Sequence, residues 1–208
     1  MKKSMSLCLV AVLVLLTLAG CGKKLNVDKN TVYVQKKGKV IGAIVQKFDK
    51  DYYDADELQS YVNDRVEAYV STHEKDSVKV DEFSVEEGVA KLNVSYAGYE
   101  DYAALNEVEL FAGTVPQALA AGYDFDAAFL KVEEGKLGGE ASKEEIIGAS
   151  DYKVVILSEK LDVKVDGTIA YVSSQYTSLA SKDTVSITLP EDAIDGEEMT
   201  LTYIVYKQ

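Results

Sequence analysis

Apolar positions along the chain recur with two different periods, and an element boundary is expected wherever one period gives way to the other. Residues 31–35 and 39–48 are runs rich in β-branched side chains that meet at Lys37-Gly38, the pattern of a hairpin. Residues 78–85 and 89–96 alternate around Glu87-Gly88, with Val89, Leu92 and Val94 among the apolar members, and predict a second hairpin. Between the two the period lengthens. Leu58, Tyr61, Val62, Arg65, Val66, Tyr69 and Val70 recur at three and four, forming one apolar stripe crossed by the stem of Arg65. Asp54 and Glu57 stand at capping-box spacing ahead of it, so a long amphipathic helix is expected from Asp54 to near His73.

The second half is more mixed. Residues 99–105 fit two helical turns and residues 108–111 a short strand. Thr114 then caps a helix that tolerates Pro116 in its first turn and stops at Gly122. Ser142 and Glu145 form another capping box before a short helix ending near Gly148. Residues 152–157, 161–165, 168–172, 185–189 and 199–206 are strand-like, and Asp166-Gly167 is the strongest two-residue hairpin signal in the chain. Leu201, Tyr203 and Val205 alternate with Thr200, Thr202 and Ile204, predicting one buried face and one mixed face. These elements predict an α+β fold: antiparallel sheet hairpins with one long amphipathic helix and several short helices. No strand–helix–strand repetition with a glycine-rich first turn occurs, which argues against a doubly wound nucleotide fold.

The N-terminus changes the picture. Lys2 and Lys3 precede an apolar stretch of residues 7–18, too short for an ordinary membrane-spanning helix but right for a signal peptide over residues 1–20. Leu18-Ala19-Gly20-Cys21 closes it and resembles the lipobox of bacterial lipoproteins. That resemblance implies that the Cys21 thiol receives diacylglycerol, that the leader is cut before it, and that a fatty acid such as palmitate completes the anchor. Two or more acyl chains hold a protein on a bilayer where one lets go. The expected mature chain has 188 residues: a lipidated tether at 21–29 and an extracytoplasmic domain at 30–208, with two subdomains, 30–98 and 99–208, also allowed. Cys8 leaves with the leader, so the domain must rest on an apolar core without disulfides.

Charge is divided along the chain. Residues 21–50 hold eight lysines against Asp28 and Asp49, a net of +6, whereas residues 51–208 hold 12 basic and 33 acidic residues, a net of −21. A basic near end suits anionic headgroups, and the acidic remainder argues against nucleic acid, whose phosphates require a basic footprint. His73 is the only histidine, and a mature domain without free cysteine offers too few nitrogen and sulfur ligands for zinc. Asp49, Asp51, Asp54, Asp56 and Glu57, and again Glu191, Asp192, Asp195, Glu197 and Glu198, supply oxygen ligands in density. Neither group has the central glycine and final glutamate of a helix–loop–helix calcium loop. No pair of carboxylates is singled out for sugar hydrolysis, and the chain has no tryptophan to stack on a sugar. No catalytic residue, metal ligand or cofactor is therefore assigned, and an enzyme ranks behind the binding readings.

Two further segments, Tyr102-Ala103-Ala104-Leu105 running on to Phe111-Ala112-Gly113-Thr114-Val115 and Ala118-Leu119-Ala120-Ala121-Gly122-Tyr123, and Lys153-Val154-Val155-Ile156-Leu157 with Tyr203-Ile204-Val205-Tyr206-Lys207, look like those of uncharacterised surface lipoproteins of Gram-positive bacteria. The resemblance covers about the last half of the chain and implies the same address on the outer face of the cell membrane, with no activity to carry over. The expected function is a lipid-anchored extracytoplasmic binding or adaptor module, with a protein or cell-wall component as a partner. The alternative is a small solute-binding lipoprotein serving a transporter, for which 188 residues without two α/β lobes are short. Tyr96, Tyr99, Tyr102, Phe111 and Tyr123 crowd the change from sheet to short helices, where a partner would dock if their rings are exposed; the competing reading is that they are core, filling space between sheet and short helices.

Overall fold

The computed structural model describes residues 24–189 and 200–208, so the leader, the lipobox with Cys21 and the second acidic group at 191–198 lie outside the described residues. Within them strands hold 43% of the residues and helices 21%. The fold is therefore mostly β, built on two sheets, and not the α+β arrangement of a single sheet backed by a long helix. The first sheet, A, joins β1 (Thr31–Val34), β2 (Val40–Lys47), β3 (Val78–Glu86), β4 (Val89–Tyr96), β9 (Asp162–Val165), β11 (Thr177–Ser181) and β12 (Thr184–Ile187), in the order β11-β12-β9-β1-β2-β4-β3. The second, B, joins β5 (Leu110–Thr114), β6 (Phe129–Glu133), β7 (Lys136–Ala141), β8 (Lys153–Leu157), β10 (Thr168–Ser173) and β13 (Thr202–Lys207), in the order β5-β8-β13-β10-β6-β7. Every pairing is antiparallel except β1 with β9, which run parallel from Thr31↔Asp162 to Val34↔Val165. Sheet A thus draws strands from both sides of residue 98.

The two sheets face each other across a core of Val32, Val34, Val40, Val94 and Val163 from A against Val155, Leu157, Val172 and Ile204 from B. The other face of B is buried as well. Val154, Ile156, Tyr203 and Val205 pack there with Phe125 and Phe129 and with α3 (Val115–Ala120) and α4 (Lys143–Gly148). B is consequently the middle layer of three. This overturns the expectation of one buried and one mixed face for the last strand: Thr202, Tyr203, Ile204, Val205 and Tyr206 are all buried. Central strands covered on both sides read as continuous apolar runs, as Val154-Val155-Ile156-Leu157 does.

A helix does follow Asp54, α1 (Ala55–Val70), with the Asp54 side chain accepting from the amides of Asp56 and Glu57, but it is not the long amphipathic helix expected to run to near His73. None of its residues is buried. Val66, Tyr69 and Val70 only lean on the first core, so α1 is a flank of the sandwich and not the layer that covers a sheet. A second sheet already occupies that place. α2 (Tyr99–Asn106) ends on Glu107 in the left-handed region at φ 57°, and the amide of Val108 closes it on Ala103 O, so β5 starts at Leu110, two residues later than the pattern predicts. The hairpins through Gly38 and Glu87-Gly88 form as predicted. A third through Glu134-Gly135 joins β6 to β7.

Asp166-Gly167 does not make the predicted hairpin. β9 lies in A and β10 in B, so this dipeptide carries the chain from one sheet to the other. Asp166 accepts from the Tyr33 hydroxyl and from the backbone amide of Lys36. Gly167 lies so close to the last strand that a Cβ there would stand 2.2 Å from Lys207 O and 2.6 Å from Tyr206 Cδ2.

The residues ahead of β1 are stitched to sheet A. Lys24 pairs with Glu82 on β3 at 3.0 Å, Asp28 lies 3.9 Å from Lys91 on β4, and Asn30 Oδ1 accepts from the amide of Val45 on β2. Leu25 and Val27 are half-buried. Among the described residues no helix is long and apolar enough to cross a membrane.

Candidate functional site

At one end of the sandwich, sheet A, α2 and the link between β8 and β9 enclose a crevice of about 280 Å³. Its wall on the A side is β2, and the decisive residue there is Gly42. A Cβ at this position would meet Tyr102 Cε2 at 3.2 Å and Tyr96 Cε2 at 3.4 Å, so glycine lets two aromatic rings lie directly on the strand. Those rings pack edge to face, 5.0 Å apart at 71°. Asn106, one turn after Tyr102 on α2, donates to the Tyr96 hydroxyl at 3.2 Å and to the Tyr102 backbone O at 2.8 Å, tying the Tyr96 ring to α2. Ile44, 40% exposed although it points to the core side of β2, forms part of the lip with Leu161.

Glu159 closes the crevice from the link between β8 and β9. Its carboxylate accepts from the Tyr102 hydroxyl, at 3.0 Å to Oε2 and 3.3 Å to Oε1. Burial raises this carboxyl above the usual range, with the Tyr102 bond opposing the rise. Burial also raises the Tyr102 phenol strongly, helped by the adjacent Glu159 charge, and lifts Tyr96 to about 12. Glu159 takes part in none of the ion pairs among the described residues. Arg65, whose charge is felt at Tyr96, instead donates to Leu105 O at 2.6 Å and to the Tyr61 hydroxyl at 3.4 Å. A half-buried carboxylate held by one phenol and facing open space is what this part of the fold offers chemically: a fixed negative charge on an aromatic floor.

The residues singled out by the sequence are placed as follows. Tyr96, Tyr102 and Phe111 are buried, and Tyr99 and Tyr123 are half-buried. None of the five is exposed, so the condition for a docking surface is not met and the competing reading, rings that fill the core, holds. They are core, Tyr96 and Tyr102 facing the first core and Phe111 the second. The exposed rings are others: Tyr52 at 75%, Tyr53 at 43% and Tyr61 at 56%. His73 stacks on Tyr69 with centroids 3.8 Å apart, its Nδ1 2.8 Å from Tyr69 O, just beyond the C-terminus of α1. Of the first acidic group, Asp54 is engaged as the helix cap. Among the described residues no three His, Cys, Asp or Glu side chains are grouped to hold a metal ion.

Sequence reasoning missed both Gly42 and Glu159. A glycine inside a β-branched run is a signal of close approach, and Val40-Ile41-Gly42-Ala43-Ile44 carried it. Glu159 carried none, since Ser158-Glu159-Lys160 between two apolar runs reads as an ordinary polar turn. No family model, no curated protein and no solved structure matches this chain.

Proposed function

We propose that this chain is a lipid-anchored extracytoplasmic binding module, held on the membrane through Cys21, and that the crevice under Gly42 is where it takes its ligand. The observation that carries the reading is the Glu159 carboxylate, half-buried, raised in pKa by burial and lining an open crevice that, among the described residues, has no cation in its wall. Keeping a charge in such a place opposes folding, and unpaired buried polar groups gather where a ligand completes them. The crevice lies at the end of one sandwich rather than between two lobes, which favours a binding module over solute capture for a transporter. At about 280 Å³ it lies at the small end of ligand pockets, suited to the end of a larger molecule and not to a whole drug-sized one.

Two measurements test this. Membrane fractionation with mass analysis of the N-terminal peptide should find a lipidated Cys21, and an unmodified Cys21 thiol in membrane-purified protein would remove the anchor. A set of small neutral and charged probes, followed through backbone amide shifts, should gather its responses at Gly42, Ile44 and Leu161. Responses scattered over the surface, with these amides silent, would remove the site.

A further inference from the structure

We infer that the group bound in this crevice is a small organic cation, an ammonium whose counter-ion is Glu159. The inference rests on the reading of the crevice as the ligand site and adds the chemical class that fits it. Among the described residues, Glu159 is the only charged side chain that lines the crevice. The rest are aliphatic, aromatic, hydroxyl or carboxamide groups. An anion would therefore meet a fixed negative charge and no cation. A neutral ligand would cover that half-buried charge and leave it the Tyr102 hydroxyl as its partner with no opposite charge, a cost that a cation relieves. Tyr102 fixes the direction of the carboxylate by bonding to both of its oxygens, so the site is preorganised before any ligand arrives. Ile44, Leu161 and the two tyrosine rings supply apolar contact for a short carbon chain behind the ammonium. The chain's single guanidinium, Arg65, does not compete for the site, since it is held by Leu105 O and Tyr61.

The test uses the chain from Lys24 onward joined to its own upstream residues with Cys21 replaced by Ser, and two probes of nearly equal shape, butylamine and butanol. Butylamine should shift the amides of Gly42, Ile44 and Leu161 saturably, with a dissociation constant on the order of 1 mM for so small a ligand. Butanol should leave them unmoved. Glu159→Gln keeps an acceptor for the Tyr102 hydroxyl and should weaken butylamine by about tenfold or more, as expected when one partner of a desolvated charge pair is removed. Glu159→Ala serves as a second variant should the first fail to fold. If butanol binds at the same amides as tightly as butylamine, or if both variants keep the amine, the cation assignment is overturned while the crevice stands as the site. If neither probe moves these amides, the crevice itself falls, and the proposed function with it.

Discussion

Replacing Gly167 by Ala probes the passage between the sheets with a single methyl group. The added Cβ would stand 2.2 Å from Lys207 O and 2.6 Å from Tyr206 Cδ2, where atoms in folded proteins keep at least about 3 Å. Tyr206 is only 2% exposed and fills the core between the sheets, so its ring has nowhere to swing. Lys207 is paired with Thr168, the residue next to the substitution, so drawing the strand end back breaks the last rung of the β10–β13 ladder. Overpacking of this kind costs about 1–3 kcal/mol, and one ladder hydrogen bond is worth about 1 kcal/mol. Against these, Ala lowers the freedom of the unfolded chain by about 0.4–1 kcal/mol. A net loss of about 2 kcal/mol is expected, which lowers Tm by roughly 4–8 °C at this chain length. Urea unfolding of the full domain measures it, with two internal standards. Gly139→Ala meets nothing within 4 Å and should change stability by no more than about 0.5 kcal/mol. Gly38→Ala has open space but φ +83°, and should lose about 1 kcal/mol through backbone strain alone. If Gly167→Ala is as stable as Gly139→Ala, the close approach of the crossover to the last strand is refuted.

Four other outcomes are expected. Glu159 has a folded pKa above the unperturbed 4.5, so its ionised form destabilises the fold at neutral pH. Glu159→Gln should therefore be more stable than the natural chain at pH 7, with the gap closing as pH falls through the raised pKa towards 4.5; a constant gap in parallel urea titrations would contradict this. Phe129, 1% exposed and packed on Phe125 and Tyr203, should lose about 3–5 kcal/mol on replacement by Ala. Val62→Ala on α1, where nothing is buried, should lose less than about 1 kcal/mol by the same denaturation curves; equal losses would restore α1 as a core layer. Cys21→Ala should move the domain from the membrane fraction to the medium, or leave the unprocessed precursor, read by immunoblot of both fractions.

What the sequence revealed, and what it hid, follows from how far each signal reaches. The hairpins through Gly38 and Glu87-Gly88 were legible because turn and strands lie within twenty residues of one another, and Glu87 and Gly88 both take the positive φ their turn requires. The caps at Asp54, Thr114 and Ser142 were legible for the same reason. Glu134-Gly135 has the chemistry of Glu87-Gly88, yet its following strand, Lys136-Leu137-Gly138-Gly139-Glu140-Ala141, is too polar and glycine-rich to read as β. The pairing of β1 with β9 joins segments about 130 residues apart, and nothing local encodes it. Asp166-Gly167 misled because a hairpin and a crossover ask the same of a turn at short range; what separates them is whether β10 finds β9 or β13. Assignment to α+β failed one level higher. Alternation tells which side of a strand is buried but not whether a helix or a second sheet does the burying. Of the crevice, the glycine was readable and the carboxylate was not, since its burial depends on which end of the sandwich its turn reaches.

The stitching of residues 24–30 to sheet A sets a length. Cys21 precedes Lys24 by three residues, and a fully extended chain covers about 3.3–3.6 Å per residue, so a lipid on Cys21 can stand no more than about 11 Å from the backbone of Lys24, which the ion pair to Glu82 fastens to β3. With the anchor proposed above, so short a leash would leave the molecule little room to sweep the space above a bilayer. It would slide with the lipid, and a ligand for the crevice would have to be presented in the first layer outside, by a neighbour in the same membrane or by material resting upon it. The bond from the Val45 amide to Asn30, which also lines the crevice, ties this leash to the edge of the site. Inserting a flexible stretch between Cys21 and Lys24 would widen the search volume and thin out encounters in the membrane plane, while leaving each contact inside the crevice unchanged.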